Sequence, residues 1–312
     1  KYKNEFVWLK EVDSLALANA GLQLDVAYKN FFRRKEVGFP RFKAKHHGNK
    51  SYTTNLVNGN IKLGTNKIKL PKLQEMKIVI HRDIPDSYQL KSATISQEPS
   101  GKYYVSLLFV CENQTCKPTI INTDKIIGID FAMQGLGVFS DGNRAKYPMY
   151  YKKAEKRLKR EQRKLSKCLK GSSNYYKQKR KVALAHEKVR HQREDFQHKL
   201  SHKLANAMDI VFVEDLNLKE MSRKLNLGKG VMDNGYGSFL TKLTYKLEER
   251  GKVLVKVGKY YPSSKTCSVC NKVKDELSIS ERVFICECGN IMDRDINAAI
   301  NIRDEGKRLV SA

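Results

Sequence analysis

The last fifty residues constrain this chain more than any other stretch. They read Cys267-Ser-Val-Cys270, then fifteen residues, then Cys286-Glu-Cys288-Gly289, and run straight on to Asp293-Arg-Asp295-Ile-Asn297-Ala-Ala-Ile-Asn301-Ile302. Four thiolates in two close pairs suit a tetrahedral Zn²⁺, because each short turn delivers two sulfurs to one ion. Cys267, Cys270, Cys286 and Cys288 are therefore the expected zinc ligands. The segment after them opens with carboxylates and continues Ile296, Ala299, Ile300 at helical spacing, which predicts a helix with acids in its first turn. The metal ribbon thus reads as an insertion in a larger domain, since these acids need partners from far upstream.

Two upstream strands supply candidates. Ile126-Ile-Gly-Ile-Asp130-Phe is an apolar strand ending on an acid, with Leu136–Ser140 as its hairpin partner. Asp209-Ile-Val-Phe-Val-Glu214-Asp215 is a second such strand, followed by an amphipathic helix over Phe239–Arg250 and a third strand over Lys252–Val257. The order of strand, hairpin, two long helices, strand, helix, strand, helix predicts a mixed α/β sheet. Asp130, Glu214 and Asp295 then stand where they could share a cation, and clustered carboxylates require one. Mg²⁺ or Mn²⁺ held by such acids cleaves phosphodiesters. Asp293 competes with Asp295 for the third position. Asp215 competes with Glu214, because both faces of that strand are apolar.

Charge indicates the partner. Sixty Lys and Arg against thirty-three Asp and Glu leave +27 over 312 residues. Between Lys152 and Arg193, seventeen cations face three Glu, a local +14 on two basic helices over 151–169 and 174–208. Nucleic acid is the polyanion such clustering fits. Arg157, Arg160, Arg163, Lys164, Lys179, Arg180 and Arg190 are the candidate contacts there, with Arg33, Arg34, Lys35, Arg41 and Lys43 near the N-terminus. Phe39 and Phe42, interleaved with the latter, either stack on bases or pack under the next domain. The three scattered cysteines, Cys111, Cys116 and Cys168, argue for a reducing compartment and against a disulfide framework. No apolar run reaches the length of a membrane span. A cytoplasmic, nucleoid-associated protein is expected.

The N-terminal third divides by texture. Residues 6–35 carry apolar positions at helical spacing, with Asp13-Ser14 able to cap a helix start. Over 50–122, short alternating runs separated by Asn58-Gly59-Asn60, Gly64, Pro71 and Pro99-Ser-Gly101 predict a small β-barrel.

In its motifs the chain resembles the TnpB-type (OrfB) proteins of insertion sequences, relatives of type V CRISPR nucleases. The resemblance rests on Gly128-Ile-Asp130, Arg190-x₄-Asp195-Phe-x-His198-Lys199, Val213-Glu214-Asp215-Leu, Thr266-Cys-Ser-Val-Cys270 and Cys288-Gly289 followed by Asp293-Arg-Asp295-Ile-Asn297. It implies a RuvC-like (RNase H fold) nuclease domain over 123–260, with Asp130, Glu214 and Asp295 as metal ligands. It further implies a zinc ribbon over 261–292 that binds target nucleic acid, a final helix over 293–312, a β-barrel wedge domain over 46–122 and a helical recognition lobe over 1–45. The implied activity is cleavage of double- or single-stranded DNA beside a short adjacent motif, guided by an RNA from the transposon end. Two features depart from the pattern. The second cysteine pair has a one-residue spacer, and the lobe is short, so that a chain starting at Lys1 reads as N-terminally incomplete. A transposase acting directly on element ends and a non-cleaving nucleic-acid-binding regulator are the competing readings. The presence of all three acids weighs against the regulator.

Overall fold

The computed structural model describes residues 2–34, 36–41, 50–111, 124–133, 135–218, 220–221, 230, 233–278 and 280–311. The chain divides into two compact units, residues 1–114 and 115–312.

The first unit begins with helix α1 (Tyr2–Glu5), a 3-10 turn and helix α2 (Ser14–Arg33). Asp13 caps α2 as its sequence suggests, its carboxylate accepting the Leu15 N–H at 3.1 Å. Strands β1 (Lys50–Asn55), β2 (Lys62–Leu63), β3 (Lys67–Lys69), β4 (Met76–Lys77), β5 (Gln89–Gln97) and β6 (Tyr103–Val110) follow. They pair as two antiparallel sheets, β1-β5-β6 and β2-β3-β4. Both sheets pack on one small core of Ile61, Ile68, Leu70 and Ala93. Among the described residues no ladder joins them, so the expected barrel stands as two sheets over a shared core. Helix α2 is tied to the same unit by Asn19, whose amide donates to the Thr53 carbonyl at 3.0 Å.

The second unit is built on strands β7 (Ile126–Ala132), β8 (Leu136–Phe139), β9 (Ile210–Glu214) and β10 (Val253–Val257), in spatial order β10-β9-β7-β8. The first three are mutually parallel and β8 runs antiparallel as the hairpin edge. Valine and isoleucine on both faces of these strands call for cover on both sides. One face, with Ile127, Ile129, Val211 and Val213, packs on helices α4 (Ser173–Ala207) and α5 (Tyr236–Glu248) through Leu204, Phe239, Leu243 and Leu247. The other, with Ile210, Phe212 and Val257, receives Ile302 of the last helix, α6 (Arg294–Ser311).

Helix α6 lies very close to the sheet. A Cβ on Gly128 would collide with the Ala299 carbonyl and sit 2.7 Å from the Arg303 nitrogen, and one on Gly306 would enter the Phe212 ring. Helix α3 (Tyr150–Ser166) precedes α4 and buries Leu158 alone, leaving most of its cations in solvent. Its first turn is capped from a distance by buried Asp233, whose carboxylate accepts the N–H groups of Tyr151 and Lys152 at 3.0 and 3.1 Å. Strands β11 (Val283–Ile285) and β12 (Ile291–Asp293) form a separate hairpin that runs directly into α6. No described helix is long and apolar enough to cross a membrane.

Candidate active site

Strand register brings the first two acids together. Ile129 of β7 lies opposite Val213 of β9, so continuing this parallel ladder by one residue sets Asp130 beside Glu214. Neighbouring strands are roughly 4.8 Å apart. Side chains alternate, and Gly128 and Phe212 face α6, so Asp130 and Glu214, two residues further on, face it too. On α6, Ala299 rests on Gly128, and Asp295 lies one turn closer to the helix start on the same side. The three acids predicted from sequence therefore converge at one end of the sheet, on one face.

Electrostatics reports the same convergence. Burial pushes the Asp130 carboxyl well above its usual range, and the charges of Glu214 and Asp295 push it further, opposed by Arg294. Burial also raises Glu214. Acids that resist ionising together form a site that a divalent cation satisfies, and the all-oxygen donor set suits Mg²⁺ or Mn²⁺.

Geometry separates the members of the two competing pairs. Asp215 points to the opposite face, where it pairs with Lys256 at 3.0 Å. Asp293 is engaged as a helix cap: its Oδ1 accepts the N–H groups of Asp295 and Ile296 at 3.0 and 3.1 Å. Asp295 has two guanidinium neighbours, Arg294 at 3.2 Å and Arg144 at 3.7 Å. Arg144 carries no signal in the sequence, since its partners lie about 150 residues away. Tyr236 is a second unforeseen neighbour. Fully buried, it packs on Phe131 with ring centroids 4.7 Å apart, and its hydroxyl has no hydrogen-bond partner among the described residues.

The four cysteines form a tighter cluster. Their sulfurs all lie within 4.8 Å of one another, with Cys267 to Cys288 at 3.7 Å and Cys270 to Cys286 at 3.6 Å. A tetrahedral ion with Zn–S bonds of about 2.3 Å needs sulfurs about 3.8 Å apart, so the set fits zinc. Among the described residues it is the one group of three or more such donors so closely gathered, the carboxylates converging less tightly. Both knuckles close by residues in the left-handed region, Asn271 at φ 61° and Gly289 at φ 88°. In the second, the Gly289 N–H reaches the Cys286 carbonyl at 3.0 Å, so the one-residue spacer still makes a turn. Burial raises the Cys267 thiol, but the N–H groups of Cys270 and Val269 and the Asn290 amide outweigh it and bring it down to about 6. A thiol so placed is ready to ligate as thiolate.

Most predicted nucleic-acid contacts are exposed. Arg33 ends α2, with Arg34 and Arg41 beyond it, and Arg157, Arg160, Arg163, Lys164, Lys179 and Arg180 project from α3 and α4. Arg190 is half-buried, and Lys35 and Lys43 lie outside the described residues. One groove along α3 is lined by cations alone: Lys156, Lys159, Arg160, Arg163, Lys164 and Lys167.

A family model described as OrfB_IS605, probable transposase, matches residues 109–225, and the Cas12f1-like TNB domain model matches 236–302. A Streptomyces pristinaespiralis protein, provisionally named an RNA-guided DNA endonuclease, is 32% identical over 98% of this chain and 75% of its own. InsQ of Escherichia coli K12, named in the same provisional way, is 30% identical over 100% of this chain and 79% of its own. In fold the chain is similar to one in the cryo-EM structure of the Cas12f1-sgRNA-target DNA complex, with a TM-score of 0.55 and 17% identity over 88% of this chain and 67% of that one. On these matches, the chain belongs to the OrfB (TnpB-type) family and has a Cas12f-like multidomain α/β fold.

Proposed function

We propose that this protein is an insertion-sequence-encoded, RNA-guided DNA endonuclease that hydrolyses phosphodiesters at Asp130, Glu214 and Asp295. The observation that carries the reading is the convergence of three acids on one sheet end, in a chain whose relatives bear that name. The second unit is read as a RuvC-like nuclease domain with residues 261–292 inserted as a zinc ribbon. The first is read as a wedge domain and recognition lobe. Mg²⁺ or Mn²⁺, when bound, supplies the Lewis acidity that activates water and takes up charge on the leaving oxygen.

The chain's own groups do the rest. Asp130 and Glu214, fixed by the parallel ladder, and Asp295, fixed by α6, hold and orient the cation. Arg294 offsets their mutual repulsion. Cations at the end of α2 and along α3 and α4 take phosphates, which positions a strand without reading its bases. Sequence is then read by guide pairing, with the protein sensing duplex shape and a short adjacent motif.

Expression with the native flanking DNA, followed by sequencing of the co-purified RNA, tests this directly. A discrete RNA whose end matches the flank is expected, together with Mg²⁺-dependent cutting of a DNA carrying the complementary target. Asp130→Ala should keep the RNA and lose the cutting; undiminished cleavage would remove Asp130 from the site. The transposase description of the matched family model favours a second reading, direct action on element ends. An RNA-free preparation that joins such ends would establish it instead.

A further inference from the structure

Asp293 is the residue at which the ribbon becomes the acid-bearing helix. It closes β12, opposite Val283, and one carboxylate oxygen caps α6 immediately ahead of Asp295. The other oxygen accepts from Arg144 Nη2 at 2.8 Å, and Arg144 Nη1 lies 3.7 Å from Asp295 Oδ2. Arg144 is itself held by the strands of the site. Its backbone bridges to Val138 of β8, and Val138 is the cross-strand neighbour of Asp130. One guanidinium therefore connects the strand pair that carries the first acid to the cap and the carboxylate of the third.

As a stability element this contact is slight, since Arg144 and Asp293 are 42% and 37% exposed and isolated exposed pairs add little. Its placement suits another task. Asp295 reaches the proposed site only if the first turn of α6 is seated, and Asp293 both caps that turn and ties it to Arg144. Buried Asn297 holds the far end of the turn by accepting the Ser268 N–H at 3.0 Å and donating to the Thr266 carbonyl at 2.7 Å. The ribbon sets where Asp293 stands. The Cys286 N–H bonds to the Asn290 carbonyl at 2.9 Å immediately before β12, and the Arg294 N–H bonds back to Arg282 at 2.9 Å.

We propose that Arg144 and Asp293 form a latch that positions Asp295, and that the latch transmits the folding of the cysteine ribbon to the acid site. The proposal rests on the reading of Asp130, Glu214 and Asp295 as cation ligands. In it Arg144 and Asp293 are positioning residues that act through Asp295.

Mn²⁺ titration of the purified protein, read by electron paramagnetic resonance, tests the latch without requiring cleavage. Arg144→Gln removes the guanidinium, and Asp293→Asn removes the charge while keeping a cap acceptor. Each single variant should weaken Mn²⁺ binding by about tenfold. The double variant should be no weaker than either single, because both break the same link. Melting temperature and KM for a programmed target should stay near wild type while kcat falls, and Arg144→Lys should restore part of the loss. Cys270→Ser should weaken Mn²⁺ binding in the wild-type background and add less in Arg144→Gln, where the Asn297 and Asn301 contacts to Thr266 and Ser268 still join the ribbon to α6. Unchanged Mn²⁺ affinity in the single variants, or strictly additive losses, would overturn the latch. Mn²⁺ binding that Asp130→Ala leaves intact would instead sink the underlying assignment of the acids.

Discussion

Helix α6 reaches the sheet only because two facing positions lack side chains, Gly128 on β7 beneath it and Gly306 on the helix itself, over Phe212. At Gly128 the obstacles to a Cβ are the Ala299 carbonyl and the Arg303 backbone, neither of which can swing aside. Gly128→Ala is therefore expected to lift the helix, destabilise the second unit by about 1–3 kcal/mol and remove Asp295 from the site. Melting and cleavage assays on the RNA-loaded protein check this; wild-type cutting by the variant would refute the contact. Asp130 and Glu214 were legible as acids at the ends of apolar runs, although β7 continues two residues past Asp130, paired with β8, and only Glu214 ends its strand. Which face they used was not, because Val211 and Val213 are as apolar as Ile210 and Phe212, and only the docked helix distinguishes the two sides. Nor could the spacing of Asp293 and Asp295 assign their roles. The cap bonds separate them, with the Asp293 carboxylate turned onto the backbone and Asp295 close enough to act on Asp130.

At the scale of elements, period and punctuation were strong guides. The short strands expected over 50–122 form between the predicted turns, and the four expected in the second unit form near their predicted places, because alternation and turn residues are local properties. Closure of a barrel is not local, and the two small sheets show it: their strands are as expected and their mutual arrangement is not. The cysteine ribbon combines a strong sequence signal with a core of Cys267, Phe284 and Cys286, too small to hold it without help. Cys270→Ser should accordingly take the protein from one bound zinc to none. It should also raise hydrogen exchange across β11, β12 and the first turn of α6 while β7 and β9 stay protected. Metal analysis and exchange mass spectrometry give the two readings, and full zinc content in the variant would dismiss the Cys₄ site.

The whole molecule carries +27, and its distribution matters more than its size. On α3, Lys156, Arg160, Arg163 and Lys167 follow the spacing that an apolar stripe would use to dock on protein, but they are cations lining an open groove. Changing these four to Gln should reduce the slope of log affinity against log salt for single-stranded RNA by about 3. An unaltered slope would place the phosphates elsewhere. Composition made the polyanion legible, whereas the face presented to it depended on which side of α3 packs on α4. The acids of the site are distributed differently, at positions 130, 214 and 295, with the last beyond the ribbon. A ribosome adding about 5–20 residues per second therefore needs roughly 10–30 s after making the first acid to make the third. In the later part of that interval, once α4 ends at Ala207, both basic helices have been made while the proposed acid site still lacks its third member, so the growing chain can gather nucleic acid before that site is complete.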